Sequence, residues 1–188
     1  MNIANKLTVL RIFLIPVFLI FLLMDLVPNG IHVAIAIFII ASITDALDGH
    51  LARSRNLVTN FGKFLDPIAD KMLVCAALIA LVELTILPAW VVIIIVSRDL
   101  MLSAFRMVAT SSNVVIAADN IGKLKTIMQM IMIIYLLLIF DAPLIVYHLN
   151  DTLRSIGDIL IGSVVLLTVA SAANYIFKNI AVLKLENI

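Results

Sequence analysis

The chain has 188 residues, of which 64% are hydrophobic, and its mean hydropathy is +1.21. A soluble domain of this size is nearer half apolar, so the composition excludes an ordinary soluble fold and predicts an integral membrane protein. The net charge of +1 gives no sign of a nucleic-acid partner, and a single cysteine, Cys75, excludes an internal disulfide framework.

Six apolar stretches approach the length of about 20 residues that crosses hydrocarbon as a helix. In chain order they cover residues 7–27, 31–53, 64–84, 86–109, 121–140 and 153–176. Lipid offers backbone groups no hydrogen-bond partner, so each stretch is expected to be helical. The prediction is an all-α protein with six transmembrane helices, built as a single membrane domain over residues 1–188.

The first residues form a polar and an apolar face ahead of the first span. Ile3, Leu7 and Leu10 share one side of a helix, which predicts a short N-terminal amphipathic helix on the membrane surface. Lys6 and Arg11 have an alternative interpretation as simple interfacial anchors. No signal-peptide cleavage pattern follows, so the first helix is expected to be retained.

The distribution of Lys and Arg predicts the topology. With six spans, 12 of the 13 basic residues lie on or nearer the side that holds both termini, and only Arg154 adjoins the other side. Positive charge is enriched on the cytoplasmic side of membrane proteins. We therefore expect both termini in the cytoplasm of a multi-pass protein of the cell membrane.

Residues 42–73 read SITDALDGHLARSRNLVTNFGKFLDPIADKML and carry an unusual concentration of polar residues. Aspartates and small residues recur there at helical spacing on two faces. The first face comprises Asp45, Asp48, Gly49 and Ala52, and the second comprises Gly62, Asp66 and Asp70. If a short loop turns the two faces toward each other, four carboxylates converge near the membrane surface.

Converging carboxylates repel one another and need neutralisation. Oxygen ligands suit hard divalent cations, and four aspartates are enough for two ions that could clamp a diphosphate. Gly49 and Ala52 leave space beside the ions, and Arg53 can donate to phosphate. The alternative is that the aspartates cap helices and form interfacial ion pairs. Their partners would then be Arg53, Arg55, Lys63 and Lys71.

The pattern Asp45-x2-Asp48-Gly49-x2-Ala52-Arg53-x8-Gly62-x3-Asp66-x3-Asp70 resembles the signature of the CDP-alcohol phosphatidyltransferases at all eight fixed positions. The start, Asn5-x2-Thr8-x2-Arg11, and the segments TNFGKFLDPIADK, SRD and GKLKT are similar to the bacterial members that make phosphatidylglycerophosphate. Asp99 is a departure, because those enzymes usually carry Glu there.

The resemblance implies a site and a reaction. Two divalent cations, Mg²⁺ or Mn²⁺, would be held by Asp45, Asp48, Asp66 and Asp70. Asp70 would also be the general base. The cytidine diphosphate site would comprise Asn5, Thr8, Gly49, Ala52, Arg53 and Gly62. The phosphatidyl group of CDP-diacylglycerol would pass to glycerol 3-phosphate by direct displacement, with release of CMP, at the cytoplasmic face of a homodimer.

An acceptor that carries its own phosphate needs cations. Arg106 on the fourth span and Lys123 and Lys125 at the start of the fifth are our candidates for the acceptor phosphate. The alternative is that the lysines only extend to lipid headgroups. Arg98 is expected to form an internal ion pair with Asp99.

Three other interpretations remain open from the sequence. A member of the same family could use serine or inositol phosphate, and serine would not require the basic residues. An intramembrane prenyltransferase is also helical and rich in aspartate, although its aspartates have other spacings. A cation transporter would place its acidic residues nearer the membrane midplane.

Overall fold

The structure, a computed structural model, describes residues 3–24, 27–54, 60–111, 120–140 and 150–179. Side chains are described for residues 9–24, 27–44, 69, 71–107, 120–140 and 151–179. Within these ranges the protein has six α-helices and no strand. The helices are α1 Ile3–Leu23, α2 Gly30–Ser54, α3 Asn60–Glu83, α4 Ala89–Ser111, α5 Asn120–Phe140 and α6 Asn150–Lys178. The all-helical prediction is confirmed.

A tight turn joins α1 to α2. Asn29 adopts a left-handed conformation, with φ of 65°, and Gly30 donates its N–H to the carbonyl of Val27 at 3.1 Å. A Cβ atom on Gly30 would lie 2.7 Å from the backbone oxygen of Phe21. Only glycine allows this approach, so Gly30 fixes how α2 leaves α1.

The end of α3 is closed by a Schellman motif. Thr85 donates to the carbonyl of Val82 and Ile86 donates to that of Leu81, both at 2.9 Å. The motif needs a left-handed residue after the helix, and here that residue is Thr85, with φ of 58°.

The chain divides into unit 1, residues 1–87, and unit 2, residues 88–188. In unit 1, α1 packs against both α2 and α3. Its buried stripe includes Ile15, Phe18 and Leu22. The ring of Phe18 lies 5.8 Å from that of Phe38, which sets the register between α1 and α2.

In unit 2, α6 packs against both α4 and α5. The hydroxyl of Tyr135 on α5 donates to the carbonyl of Leu153 on α6 at 3.1 Å. Gly157 would place a Cβ atom 3.4 Å from Leu136, so the two antiparallel helices approach closely there.

Each predicted span corresponds to one helix, with ends that differ by a few residues. Nothing between Ile3 and Arg11 interrupts the backbone, so the N-terminal segment is continuous with α1 and not a separate helix. In the described part of the chain, α5 and residues Asp151–Lys178 of α6 are long and apolar enough to cross a membrane. Together with the mean hydropathy of +1.21, these helices favour a membrane protein.

Candidate active site

The buried face of α2 leads directly into the first pair of aspartates. Ala34, Phe38 and Ala41 are fully buried and lie four and three residues apart. Continuing at the same spacing, the next positions on this stripe are Asp45 and Asp48. The sequence therefore places both aspartates at the end of an apolar packing face.

The same relation holds on α3. Ala69, Leu73 and Ala77 are buried at intervals of four residues. Asp66 precedes Ala69 by three residues and Asp70 precedes Leu73 by three, so both positions adjoin this stripe. The helix begins at Asn60 and continues through Pro67, ahead of the predicted start at residue 64.

The residues that would form the metal and cytidine diphosphate sites lie outside those whose side chains the structure describes. They are Asn5, Thr8, Asp45, Asp48, Gly49, Ala52, Arg53, Gly62, Asp66 and Asp70. Among the side chains that are described, no group of three or more His, Cys, Asp or Glu could hold a metal. The two-metal site therefore stays a prediction, supported by the helical register of its four aspartates.

Unit 2 contains a buried charge cluster, which we define as Arg98, Asp99, Lys125 and Ser171. The ammonium of Lys125 donates to both carboxylate oxygens of Asp99, at 2.8 and 2.7 Å. Arg98 Nη1 donates to Asp99 Oδ1 at 2.9 Å, and Arg98 Nη2 donates to Ser171 Oγ at 2.7 Å. One carboxylate thus holds two cations, and the cluster ties α4, α5 and α6 together.

The charged side chains of this cluster are largely shielded from solvent. The side chain of Lys125 is 1% exposed, and those of Arg98 and Asp99 are 13% and 24% exposed. The alternative in which Lys125 extends to lipid headgroups is therefore wrong, because its ammonium points to Asp99 inside the unit. The internal Arg98–Asp99 pair is confirmed. The side chain of Asp99 is shorter than that of the Glu usual in similar enzymes, yet it reaches both cations.

The other acceptor candidates are accessible. Arg106 is exposed, and its guanidinium carbon lies 5.7 Å from the ring centroid of Tyr175. Tyr175 is 2% exposed, and its hydroxyl has no hydrogen-bond partner among the described residues. Lys123 is exposed in the first turn of α5, where the helix dipole favours an anion. Arg106 and Lys123 are thus the exposed members of the three acceptor candidates, and their contact with a phosphate stays a prediction.

Four features escaped the sequence interpretation. Ser171 and Tyr175 lie far along the chain from the arginines they contact, so no local pattern joins them. Gln129, buried one helical turn after Lys125, extends the polar side of α5, and its spacing of four was the available signal. Arg11 is 2% exposed, so the interpretation as an interfacial anchor is wrong for this residue.

The sequence model of the CDP-alcohol phosphatidyltransferase family matches residues 1–175, and the chain belongs to that family. The CDP-diacylglycerol–glycerol-3-phosphate 3-phosphatidyltransferase of Bacillus subtilis (strain 168) is 44% identical over 200 aligned positions, which cover 99% of each chain. A probable phosphatidylglycerophosphate synthase of Mycobacterium tuberculosis (strain CDC 1551 / Oshkosh) is 39% identical over 94% of this chain and 81% of its own. A Rickettsia typhi (strain ATCC VR-144 / Wilmington) enzyme, named like the Bacillus one, is 34% identical over 93% and 94%.

Proposed function

We propose that the chain transfers the phosphatidyl group of CDP-diacylglycerol to glycerol 3-phosphate, which gives phosphatidylglycerophosphate and CMP. The observation that carries this assignment is the 44% identity with the Bacillus subtilis enzyme over 99% of both chains. Family membership also decides against the prenyltransferase and the cation transporter.

The six helices are proposed to cross the membrane with both termini and the active site on the cytoplasmic side. Support comes from the 12 of 13 basic residues that this arrangement places on or nearer one face. A single membrane domain over residues 1–188 is expected from the six apolar stretches, and a homodimer is expected from the family resemblance.

Members of the family use divalent metal ions. The four aspartates fit that role because carboxylates are the ligands that hard divalent cations prefer, and because all four adjoin buried helix stripes. We expect Asp45, Asp48, Asp66 and Asp70 to hold two ions, Mg²⁺ or Mn²⁺. Bound there, the ions would neutralise the diphosphate and its developing charge.

The chain's own residues would bind and activate the two substrates. Asp70 is proposed to take the proton of the acceptor hydroxyl as its oxygen attacks the phosphorus that carries diacylglycerol. A new P–O bond forms, the bond to the CMP oxygen breaks, and CMP leaves with the electron pair. The cytidine diphosphate group is assigned to the residues implied by the family signature. They are Asn5, Thr8, Gly49, Ala52, Arg53 and Gly62.

The phosphate of the acceptor is assigned to Arg106, Lys123 and Lys125. Arg106 and Lys123 are exposed and can donate directly to phosphate oxygens. Lys125 acts differently, because Asp99 already accepts two hydrogen bonds from its ammonium. Its contribution is electrostatic: two cations and one carboxylate give the buried charge cluster a net charge of +1.

The experiment is an acceptor panel. Purified protein is incubated with CDP-diacylglycerol, Mg²⁺ or Mn²⁺ and one of glycerol 3-phosphate, glycerol, serine or inositol phosphate, and CMP release is measured. We expect release with glycerol 3-phosphate and little with glycerol. A preference for serine or inositol phosphate would keep the family and overturn the assigned acceptor.

A further inference from the structure

A buried arginine lies on the packing stripe of α1. Arg11 is 2% exposed and precedes Ile15 by four residues, so it continues the stripe formed by Ile15, Phe18 and Leu22. The stripe is apolar up to this point and becomes charged at Arg11. A buried guanidinium is costly unless anions or other acceptors compensate it.

Helix register places Arg11 level with an aspartate. The rings of Phe18 and Phe38 are in contact, with centroids 5.8 Å apart, on two antiparallel helices. Arg11 lies seven residues before Phe18, and Asp45 lies seven residues after Phe38. Both backbone positions are therefore about 10 Å from the ring pair, in the same direction along the helices.

The carboxylates of unit 1 that could compensate the charge of Arg11 are limited to the aspartates of α2 and α3. Residues 1–87 contain six acidic residues. Asp25 comes after the far end of α1, and Glu83 is exposed at the far end of α3. The other four are the aspartates of α2 and α3, and both of these helices pack against α1. Asp66 and Asp70 lie in the first half of α3, as Arg11 does in α1.

We propose that Arg11 is a positioning residue whose guanidinium pairs with the aspartates of α2 and α3, and above all with Asp45. It supplies the fixed positive charge that keeps four carboxylates together before divalent cations bind. The inference rests on the proposed metal centre, but it assigns Arg11 a role in the metal-free protein. Bound cations then take over most of the neutralisation.

The test measures melting temperature of the full chain in detergent, in EDTA and in saturating Mn²⁺. Arg11→Met should lower the melting temperature in EDTA by roughly 5–10 °C, because the carboxylates lose their fixed counter-charge. In Mn²⁺ the melting temperature should fall by less than half as much, so the metal stabilises the variant more than it stabilises the wild type. Arg11→Lys, which keeps the charge, should behave nearly as the wild type does.

Ile15→Ala is the matched control, because Ile15 is buried on the same stripe and carries no charge. This control should lower the melting temperature equally with and without Mn²⁺. An equal fall for Arg11→Met would show that Arg11 only fills space and would overturn the proposal. If Mn²⁺ stabilised Arg11→Met as much as the wild type while CMP bound more weakly, Arg11 would be assigned to the nucleotide, and the proposal would again be overturned.

Double variants test the pairing without metal. Adding Asp45→Asn to Arg11→Met should restore at least half of the melting temperature that Arg11→Met loses in EDTA. The same substitution at Asp48, Asp66 or Asp70 should restore less. If Arg11→Met alone does not fold, a double variant that does fold supports the pairing in the same way. If none of the four double variants folds, the pairing is contradicted. A wild type that Mn²⁺ does not stabilise would instead count against the metal centre, while the measurements in EDTA still decide on Arg11.

Discussion

Asp99 balances the charge inside unit 2. Its carboxylate accepts hydrogen bonds from Arg98 and from the almost fully buried Lys125. Removing one partner of a buried ion pair is more costly than the pair is worth, because it leaves an uncompensated charge. The carboxylate therefore stabilises unit 2 mainly because it compensates the charges of the buried Lys125 and the partly buried Arg98.

Asp99→Asn should destabilise the protein by about 3 kcal/mol, toward the low end for a buried pair because the carboxylate is partly exposed. Asp99→Glu keeps the charge and should cost less than about 1.5 kcal/mol. Denaturant or thermal unfolding of both variants measures the difference. Equal losses would mean that shape, and not charge, sets the stability of the cluster.

The accessible cations allow a test of the acceptor site. A charge-assisted hydrogen bond to phosphate is worth about 1.5–3 kcal/mol, so Arg106→Ala or Lys123→Ala should raise the KM for glycerol 3-phosphate roughly ten- to a hundredfold. The KM for CDP-diacylglycerol should change much less, because the aspartate-bound ions would hold that substrate. Steady-state kinetics with each substrate varied in turn provides both values. Equal losses for the two substrates would argue against an acceptor site at these residues.

At the scale of the elements, alanine substitutions at two helical glycines are expected to change stability in opposite directions. Gly30→Ala should cost about 1–3 kcal/mol, because its Cβ atom would meet the backbone oxygen of Phe21 at 2.7 Å and backbone cannot move aside easily. Gly162→Ala, the control, has no atom within 4 Å and should stabilise α6 by about 0.5–1 kcal/mol. Thermal unfolding of the two variants compares them directly. A neutral Gly30→Ala would show that α1 and α2 can separate at their turn.

At the scale of the whole molecule, helix positions follow from local properties of the sequence. Hydrophobic length was enough to place α1 and α2, and the aspartate spacing was enough to predict the family. The Lys125–Asp99 pair was beyond local patterns, because it joins residues 26 positions apart. The burial of Arg11 likewise depends on packing against two other helices, which no single stretch of sequence reveals.

The topology of the whole chain can be tested with terminal fusions. Green fluorescent protein at either terminus should fluoresce in the cytoplasm, because moving the 12 basic residues on or near that side across the membrane would oppose the positive-inside preference. Alkaline phosphatase inserted at the turn of Pro28 and Asn29 should be active outside the cytoplasm, as it should at Thr85. The two reporters control each other, since each works on one side only. One terminus accessible from outside would require an odd number of spans and would contradict the six-span arrangement. Both termini accessible from outside would keep six spans but contradict the orientation assigned from the basic residues.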